Sequence, residues 1–421
     1  ALRSRNYRLF FSGQSISLVG TWMTRVATSW LIYRLTHSAV LLGTISFAGQ
    51  APAFFLGPLA GVLVDRWDRH RTLVVTQVLS MLQSFALAAL ALSGIINVWH
   101  VLILALCQGA INAFDMPARQ SFVYEMVERH EDLSNAIALN SSMVNAARLI
   151  GPALAGIVIS GVGEAWCFVV DGVSYIAVIL SLLLMRVVRR EQPSARSGMR
   201  QQLREGWRYV AGSVPIRSIL LLLALASLAG MPYTVLMPVI ASKVLHGGPN
   251  TLGILMSASG VGALAGALAL AVRKTVLGLG RRIVICSGLF GLALIALGWS
   301  THLWLSLLIL PVIGCCMMQH MAASNTILQT IVENEKRGRV MAFYSMAFQG
   351  MAPFGSLMAG MLAAQIGTRW TLAVSGAICI VGSLWFSRQL PEIRKRLRPV
   401  YVQLGILKEA AVGVQNATAL Q

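Results

Sequence analysis

The residues best suited to chemistry are Asp115 and Arg148, because each interrupts an apolar stretch that is long enough to cross a membrane. A charge in the hydrocarbon core costs about 2.5–3.5 kcal/mol on insertion scales, so each side chain needs a partner or a function. Helical rise counted from the polar turn between the two stretches puts both at a similar depth, roughly 20 Å from the surface. We therefore predict an ion pair. Its carboxyl either takes up and releases a proton or belongs to a permanent bridge between two helices.

Arg25 and His320 are further ionisable residues inside apolar stretches. Arg25 lies at a depth where Asp171 could meet it, although Asp171 could instead face lipid headgroups or water. His320 either binds a ligand or titrates near neutral pH, or it is a hydrogen-bonded packing residue. Aromatic and amide side chains suit a mostly apolar cavity for an amphipathic molecule. The candidates of this kind are Trp22, Trp30, Gln50, Asn112, Asn140, Tyr233 and Gln349.

The elements that must position these residues are membrane-spanning helices. Of the 421 residues 56% are hydrophobic and 12% are charged, a balance that excludes a soluble domain. A spanning helix needs about 20 apolar residues. Twelve such stretches occur, near 8–35, 38–64, 70–93, 97–120, 134–160, 164–186, 217–243, 250–272, 282–300, 302–328, 338–366 and 369–388. The fold class is therefore predicted to be an all-α membrane protein with twelve transmembrane helices.

The net charge of +19 reflects topology rather than binding to nucleic acid. Most of the 34 basic residues fall in the segments that share a side with the amino terminus, whereas Arg34, Lys243 and Arg369 fall at the other ends of spans. Cytoplasmic segments of membrane proteins carry such an excess of Lys and Arg. We expect a multi-pass protein of the plasma (inner) membrane with both termini in the cytoplasm and the lipid bilayer as its surroundings.

A polar break divides the chain into two halves. We predict a six-helix bundle over 1–186, a cytoplasmic linker over 187–216 with an amphipathic surface helix, a second six-helix bundle over 217–390 and a cytoplasmic tail over 391–421. The halves resemble each other at a shift of about 204 residues, as expected of a transporter that rocks two repeats about a central site. At this shift Asp115 corresponds to Gln319, beside His320, and we count Gln319 and His320, together with Arg25, among the candidates for the substrate cavity.

Two motifs carry a resemblance to a known family. The loop GVLVDRWDRHR, 61–71, resembles the G-x-x-x-D-[RK]-x-G-[RK]-[RK] loop of the major facilitator superfamily, with Asp68 in place of glycine and His70 in place of a basic residue. The stretch RLIGPALAG, 148–156, looks like the exporter-associated Gly-Pro motif of that superfamily, and 113–142 resembles the branch that includes enterobactin and macrolide exporters.

The resemblance implies roles for the motif residues. The first loop would latch one half of the protein against the other, through Gly61, Asp65, Arg66, Arg69 and Arg71; the alternative is a solvated charge cluster. In the second motif, Gly151, Pro152 and Gly156 would loosen and pack the fifth span, either for export or as a plain packing kink.

The resemblance also implies two pseudo-symmetric bundles around a cavity lined by the first and fourth helices of each half. It implies export of a small amphipathic molecule, a drug or siderophore-like compound, by alternating access, with proton antiport as the driving reaction. Transport of a lysophospholipid or another lipid is the alternative. The protein would act as a monomer, with protons and the substrate as its partners and a proton gradient in place of a cofactor.

Enzymatic alternatives lack their motifs. The chain has no Gly-Lys pair for a phosphate loop, no H-E-x-x-H zinc motif and no G-x-S-x-G elbow. The six cysteines lie in apolar spans without metal-ligand spacing, so we predict packing roles and no metal site. The sequence therefore predicts a transporter and not an enzyme.

Overall fold

The computed structural model describes residues 1–127, 132–185, 199–273 and 275–403, and these residues are organised as helices with short connections. The first part of the predicted linker, 187–198, and the end of the predicted tail, 404–421, lie outside them. Ten helical segments of the described residues are long and apolar enough to cross a membrane. The first helix is not among the ten, and the last segment, Glu335–Gln403, is 69 residues long.

Six long helices form the first half of the chain: α1 Arg5–Thr36, α2 Ala39–Arg66, α3 Arg69–Leu92, α4 Val98–Met126, α5 Leu133–Val162 and α6 Glu164–Leu183. Polar side chains begin three of them, since Ser38, Asp68 and Asn97 each accept a hydrogen bond from a backbone N–H of the first turn. The turn between α5 and α6 is a single residue, Gly163, at φ 94°. Such a φ favours glycine, which ends one helix and begins the next.

The second half contains α7 Met199–Gly212, α8 Val214–Leu225, α9 Tyr233–Val239, α10 Pro249–Ala271, α11 Leu279–Trp299, α12 Leu303–Ile331, α13 Asn334–Ser345 and α14 Ala352–Gln403. Turns of π-helix over Ala226–Gly230 and Ile240–Val244 join α8 and α9 into one candidate span, 214–244. A third π-helical turn, Met346–Gly350, lies between α13 and α14. Within α14, Gly367 breaks the helix at φ 79° and ψ 160°.

Two predictions about the connections can be compared with these bounds. The predicted amphipathic helix of the linker corresponds to α7, which carries apolar residues on one side and arginines on the other. The predicted tail begins at 391, but α14 continues without interruption past that point to Gln403.

Helices of each half pack mainly on one another. In the first half α1 contacts α5 and α6, α2 contacts α4, and α3 contacts α4 and α6. In the second half α10 contacts α12, and α11 contacts α12 and α14. The halves meet chiefly where α5 packs on α10 and where α2 packs on α14.

The two sides of this array are distinguished by their contacts. On the side we call the terminal face, Ser4 Oγ donates to Met126 O at 2.8 Å, and His70 Nε2 lies 2.8 Å from Leu182 O. On the side we call the opposite face, Arg34 Nε lies 2.7 Å from Glu164 Oε1. The beginning of α1 and the ends of α2, α4 and α6 therefore share the terminal face.

The halves approach each other most closely near the opposite face. A Cβ added to Gly156 of α5 would lie 3.1 Å from the Cα of Asn250 at the start of α10. A Cβ added to Gly43 of α2 would lie 3.2 Å from the Cα of Gly360 in α14. Small residues at both crossings let the backbones touch, as is common in membrane helix pairs. These contacts close the space between the halves on the opposite face.

Toward the terminal face, parts of α1 and α2 are uncovered. Gly57 and Gly61 of α2 would each accept a Cβ with no atom within 4 Å. Along α1, Arg8, Ser12 and Ile16 are exposed at helical intervals, although the other faces of this helix are packed. The second half therefore does not cover these surfaces of α1 and α2 as it covers their ends at the opposite face.

Candidate functional site

Two arginines from different helices meet one indole ring in the interior of the protein. The guanidinium carbon of Arg25 on α1 lies 4.8 Å from the centre of the Trp22 ring, and that of Arg148 on α5 lies 5.3 Å from it. The negative face of an indole attracts cations at such distances. We call Trp22, Arg25 and Arg148 the arginine–tryptophan cluster.

The arginines of the cluster differ in exposure. Arg25 is exposed and Arg148 is half-buried. Arg25 has charged and aromatic neighbours on other helices, since Arg148, Asp171 and Tyr175 act on it electrostatically. Among the described residues, neither guanidinium has a hydrogen-bond acceptor or a carboxylate within ion-pair distance.

Glycines and a serine hold the cluster in place. A Cβ on Gly151 would collide with the Cβ of Trp22, so glycine at 151 allows α5 to lie directly against this tryptophan on α1. On its other side α5 meets α10, where a Cβ on Gly260 would lie 3.0 Å from Arg148 O. Ser257 Oγ donates to Leu149 O at 2.8 Å across the same contact. Arg148 is therefore fixed where the two halves join.

Tyr233, also predicted to line the cavity, belongs to the same region. It lies on α9, is buried, and its hydroxyl is 2.7 Å from Ser259 Oγ on α10. The hydroxyl is near enough to Arg148 for their charges to interact. Four of the predicted residues, Trp22, Arg25, Arg148 and Tyr233, are thus brought together from α1, α5 and α9. The arrangement combines positive charge, aromatic surface and access to water, which suits reversible binding of a small molecule.

The predicted ion pair between Asp115 and Arg148 is not formed. Asp115 is 5% exposed, and its Oδ2 lies 2.5 Å from an Nη atom of Arg119, one turn along α4. Its Oδ1 accepts hydrogen bonds from Thr76 Oγ1 at 2.9 Å and Gln77 Nε2 at 2.7 Å. We call these four residues the Asp115 network. The prediction was wrong because similar depth does not make neighbours: α4 packs on α2 and α3, whereas α5 packs on α1 and α10.

Asp171 is the second buried carboxylate near the cavity. It is 2% exposed, and it accepts a hydrogen bond from Ser84 Oγ at 2.8 Å and a longer one, 3.5 Å, from Thr21 Oγ1. Its charge attracts Arg25 without a direct hydrogen bond between them. Asp171 therefore packs between α1, α3 and α6, and the alternative in which it reaches lipid headgroups is wrong.

Gln319 and His320, which the sequence predicts in the cavity, are buried within the second half, away from the arginine–tryptophan cluster. Their side chains are 6% and 1% exposed and pack between α11 and α12. His320 Nδ1 lies 2.8 Å from Ser287 Oγ, and Gln319 lies 3.8 Å from the sulfur atoms of Cys286 and Cys315. The packing alternative for His320 is the one that this geometry fits.

The remaining predicted cavity residues are dispersed. Gln50 is exposed on α2 and donates to Ser46 of its own helix at 3.1 Å. Asn112 is half-buried and accepts a hydrogen bond from Gln108 on α4, and Asn140 is half-buried on α5. Two others are not in the cluster either. Trp30 packs against the main apolar core, and Gln349 is exposed in the third π-helical turn.

The loop 61–71, predicted to hold the two halves together, makes its described contacts within the first half. Arg69 is buried and its Nη1 lies 2.7 Å from Glu125 Oε1 on α4. Arg66 and Arg71 are exposed, and the Nε of Arg71 is 4.0 Å from Asp68 Oδ2. The side chain of Asp65 lies outside the described residues. The loop thus contains one buried ion pair beside a solvated cluster, and its contact with α4 stiffens the terminal end of the first half.

The residues of the Gly-Pro motif contact two different helices, α1 and α10, from opposite sides of α5. Gly151 faces α1, as described above, whereas Pro152 and Gly156 face α10. A Cβ on Gly253 of α10 would lie 2.5 Å from Pro152 O and 3.0 Å from Gly156 Cα. The helix remains continuous through Pro152. The motif therefore joins α5 to a helix of the other half and brings Arg148 to that junction.

Several residues of these networks were not predicted. Arg119 is one of them, although its spacing of four from Asp115 is a readable sign of a pair on one helix. The partners Thr76, Gln77, Ser84 and Ser259 come from other helices. No sequence signal distinguishes them from other polar residues, because their roles depend on how the helices rotate against one another.

Proteins with related sequences are transporters. The chain is 27% identical over 383 residues to the staphyloferrin A transporter of Staphylococcus aureus (strain NCTC 8325 / PS 47), covering 90% of this chain and 95% of that protein. It is 26% identical over 373 residues to the multidrug efflux pump Tap of Mycolicibacterium fortuitum, covering 86% and 90%. It is 23% identical over 402 residues to macrolide efflux protein A of Streptococcus pyogenes, covering 93% and 98%.

Solved structures share the fold at low sequence identity. A bacterial homologue of the human lysosomal transporter Spinster, in an inward-facing and unoccupied conformation, superposes with a TM-score of 0.71 at 13% identity and covers 93% of this chain and 98% of that one. The nucleoside transporter NupG superposes with a TM-score of 0.69 at 13% identity, covering 93% and 99%. This likeness identifies an all-helical major facilitator fold.

A family model described as transmembrane secretion effector matches residues 1–401, almost the whole chain. The match, the related exporters and the fold agree with the motifs in α2–α3 and α5. The protein is therefore a multi-pass membrane transporter and not an enzyme. It belongs to the transmembrane secretion effector family of the major facilitator superfamily.

Proposed function

We propose that this protein is a secondary active transporter that exports a small amphipathic molecule by alternating access. The observation that carries the proposal is the position of the arginine–tryptophan cluster. It lies where α1 and α5 of the first half meet α9 and α10 of the second. We propose that it lines a substrate cavity between the halves that opens toward the terminal face, where α1 and α2 are uncovered. A site between two rocking halves is exposed to each side of the membrane in turn.

The proposed architecture is two six-helix bundles. The first consists of α1 to α6. The second consists of the span 214–244, α10, α11, α12, the helix from α13 through the third π-helical turn to Ile366, and the part of α14 after Gly367. The preference of helices for partners in their own half supports this division. The proposed movement is a rocking of the bundles about the small-residue contacts between α5 and α10 and between α2 and α14.

The proposed location is the plasma membrane, with the terminal face in the cytoplasm. Arg5, Arg8 and Arg66 lie on this face, as the excess of basic residues in cytoplasmic segments requires. In this orientation the cavity is open to the cytoplasm, the state in which an exporter takes up its substrate.

The proposed substrate is drug-like or siderophore-like. Two of the related proteins are named for efflux and a third for transport of staphyloferrin A, which supports export of a small molecule. None of these three names refers to a lipid, so lipid transport is the less favoured alternative.

The proposed driving reaction is proton antiport, with Asp171 as the proton carrier. A carboxylate that hydroxyl groups alone hydrogen-bond exchanges a proton at less electrostatic cost than one paired with a guanidinium. Ser84 and Thr21 bind Asp171, whereas Arg119 neutralises Asp115. Asp171 also attracts Arg25 of the cluster, so its protonation would change the charge near the substrate.

Proton flux in proteoliposomes tests this function. Vesicles that contain a pH dye would be exposed to siderophores, macrolides and cationic and anionic dyes. We expect substrate-dependent proton movement that is lost in Asp171→Asn and retained in Asp115→Asn. Loss of proton movement in Asp115→Asn but not in Asp171→Asn would identify Asp115 as the proton carrier. Substrate movement without any proton movement would contradict antiport.

A further inference from the structure

We infer that the arginine–tryptophan cluster selects substrates that carry a carboxylate or another organic anion beside an aromatic or apolar body. The inference rests on the proposed function, because it assigns the substrate class of the same cavity. It follows from the charges that surround the cavity, from the geometry of the two guanidiniums and from a comparison with the other arginines.

The charge balance around the cluster is positive. Arg25 and Arg148 are both within about 6 Å of one ring centre, the range of a cation–π contact. Asp171 is the acidic residue whose charge reaches Arg25, and its oxygens are occupied by Ser84 and Thr21. Asp115 is neutralised by Arg119. Among the residues that the structure describes, the cluster therefore has two guanidiniums and one opposing carboxylate, Asp171, which is not hydrogen-bonded to either of them.

Other arginines of the chain show what a structural arginine looks like here. Arg119 lies 2.5 Å from Asp115, Arg69 lies 2.7 Å from Glu125, and Arg34 lies 2.7 Å from Glu164. Each binds a carboxylate even where it is partly exposed. Arg25 and Arg148 lie deeper along their helices, and within the described part of the chain neither has a carboxylate at ion-pair distance; both lie over the indole of Trp22. An ion in the membrane interior costs more than a cation–π contact returns, so these two residues fit a site that a ligand completes.

The geometry suits a planar anion. A guanidinium presents paired N–H donors that match the two oxygens of a carboxylate, which a lysine ammonium does not. Among the described residues neither guanidinium donates to a protein acceptor, so the donors of both are available to a ligand, and Trp22 offers a surface for its apolar part. A cationic amphiphile in the same place would meet two like charges, which disfavours it.

Equilibrium binding of two dyes with one skeleton tests this inference. Fluorescein is an anion at neutral pH, whereas rhodamine 6G carries a related xanthene and phenyl framework as a cation. Anisotropy of each dye is measured with purified protein in an uncharged detergent. We expect fluorescein to bind at least about tenfold more tightly, since hydrogen bonds to charged groups are the strong ones.

Substitutions of the two arginines test whether they cause the preference for the anionic dye. Arg25→Gln and Arg148→Gln should each weaken fluorescein binding by about tenfold or more without weakening rhodamine 6G binding. Arg34→Gln is the matched control on α1, because Arg34 binds Glu164 at the opposite face, and its fluorescein binding should not change. Arg25→Lys and Arg148→Lys keep the charge and should retain part of the preference.

Equal binding of the two dyes, a preference for rhodamine 6G, or a fluorescein affinity that survives both glutamine variants would overturn the inference. The wild-type dye comparison does not depend on whether any variant folds. The test is also separate from the proposed function. Cation-selective binding with transport overturns the anion preference alone. Anion-selective binding without movement of the dye across proteoliposomes overturns the proposed export by alternating access alone.

Discussion

The Asp115 network and the arginine–tryptophan cluster both place charge in the membrane interior, but they neutralise it differently. In the Asp115 network the carboxylate binds a guanidinium, a hydroxyl and an amide, all from α3 and α4 of one half. In the cluster, two guanidiniums from α1 and α5 share one indole beside helices of the other half. In the first arrangement protein groups satisfy the carboxylate, whereas in the second the guanidinium donors are available to a ligand.

The difference separates a structural role from a binding role. A buried ion that already has its partners contributes to the fold, and removing one partner leaves the other uncompensated. An ion in the membrane interior that has no partner of opposite charge weakens the fold and is kept for a function. Stability measurements on the two regions should therefore give opposite signs for the loss of an arginine.

The largest expected effect is at Asp115. Asp115→Leu leaves Arg119 without its carboxylate and should destabilise the protein by on the order of 3 kcal/mol. Adding Arg119→Leu should restore most of the loss, whereas adding Arg148→Leu should not. Unfolding in detergent, followed by fluorescence against denaturant, measures each variant. Rescue by Arg148→Leu would instead support the ion pair between Asp115 and Arg148 that the sequence predicts.

The second effect concerns the support of the cluster. Gly151→Ala forces a methyl group against Trp22 and should cost about 1–3 kcal/mol, the usual range for overpacking, and weaken fluorescein binding. Gly161→Ala on the same helix is the control, since nothing lies within 4 Å of its added Cβ, and it should be neutral or gain about 0.5–1 kcal/mol. If the two variants behave alike in thermal unfolding, close packing does not position Trp22.

The third effect has the opposite sign. Arg25→Met removes a guanidinium that has no acceptor and should raise the free energy of unfolding by about 1 kcal/mol, while it abolishes the anion preference. Arg119→Met should lower the free energy of unfolding, because it leaves Asp115 unpaired. The same unfolding assay compares the pair. Destabilisation by both methionine substitutions would mean that Arg25 has a structural partner as Arg119 does.

The smallest effect is at Asp171. Asp171→Asn keeps a side chain that accepts hydrogen bonds from Ser84 but removes the charge that attracts Arg25. Fluorescein affinity should rise by about threefold, the scale of a screened charge interaction over several ångströms. Dye anisotropy measures the change, with Asp115→Asn as the control that should leave the affinity unaltered. A weaker affinity in Asp171→Asn would show that the carboxylate orients Arg25 for binding.

Much of the fold could be predicted because apolar length and charge placement are local properties of the chain. The long helices of both halves and the amphipathic helix α7 follow from them. The π-helical turns and the continuation of α14 past residue 390 do not, because they depend on how neighbouring helices pack.

The depth of the site residues in the membrane could be predicted from the sequence, but the helices that they face could not. Residue counts place Asp115 and Arg148 at the same depth, and equal depth does not tell which helices pack against each other. Arg148 joins Trp22, Arg25 and Tyr233 because glycines bring α5 against α1 and α10. His320 and Gln319 share the depth of Asp115 in the repeat, yet their helix turns them into the core of the second half.

Counterflow in proteoliposomes tests most directly that the cluster is the substrate site of a carrier. Vesicles loaded with unlabelled fluorescein are diluted into a trace of radiolabelled fluorescein, so that exchange across the membrane needs a site exposed to each side in turn. The expected result is a transient accumulation of label inside wild-type vesicles that falls at least about tenfold in Arg148→Gln and persists in Arg34→Gln. No accumulation in the wild type, or equal accumulation in Arg148→Gln, would contradict it.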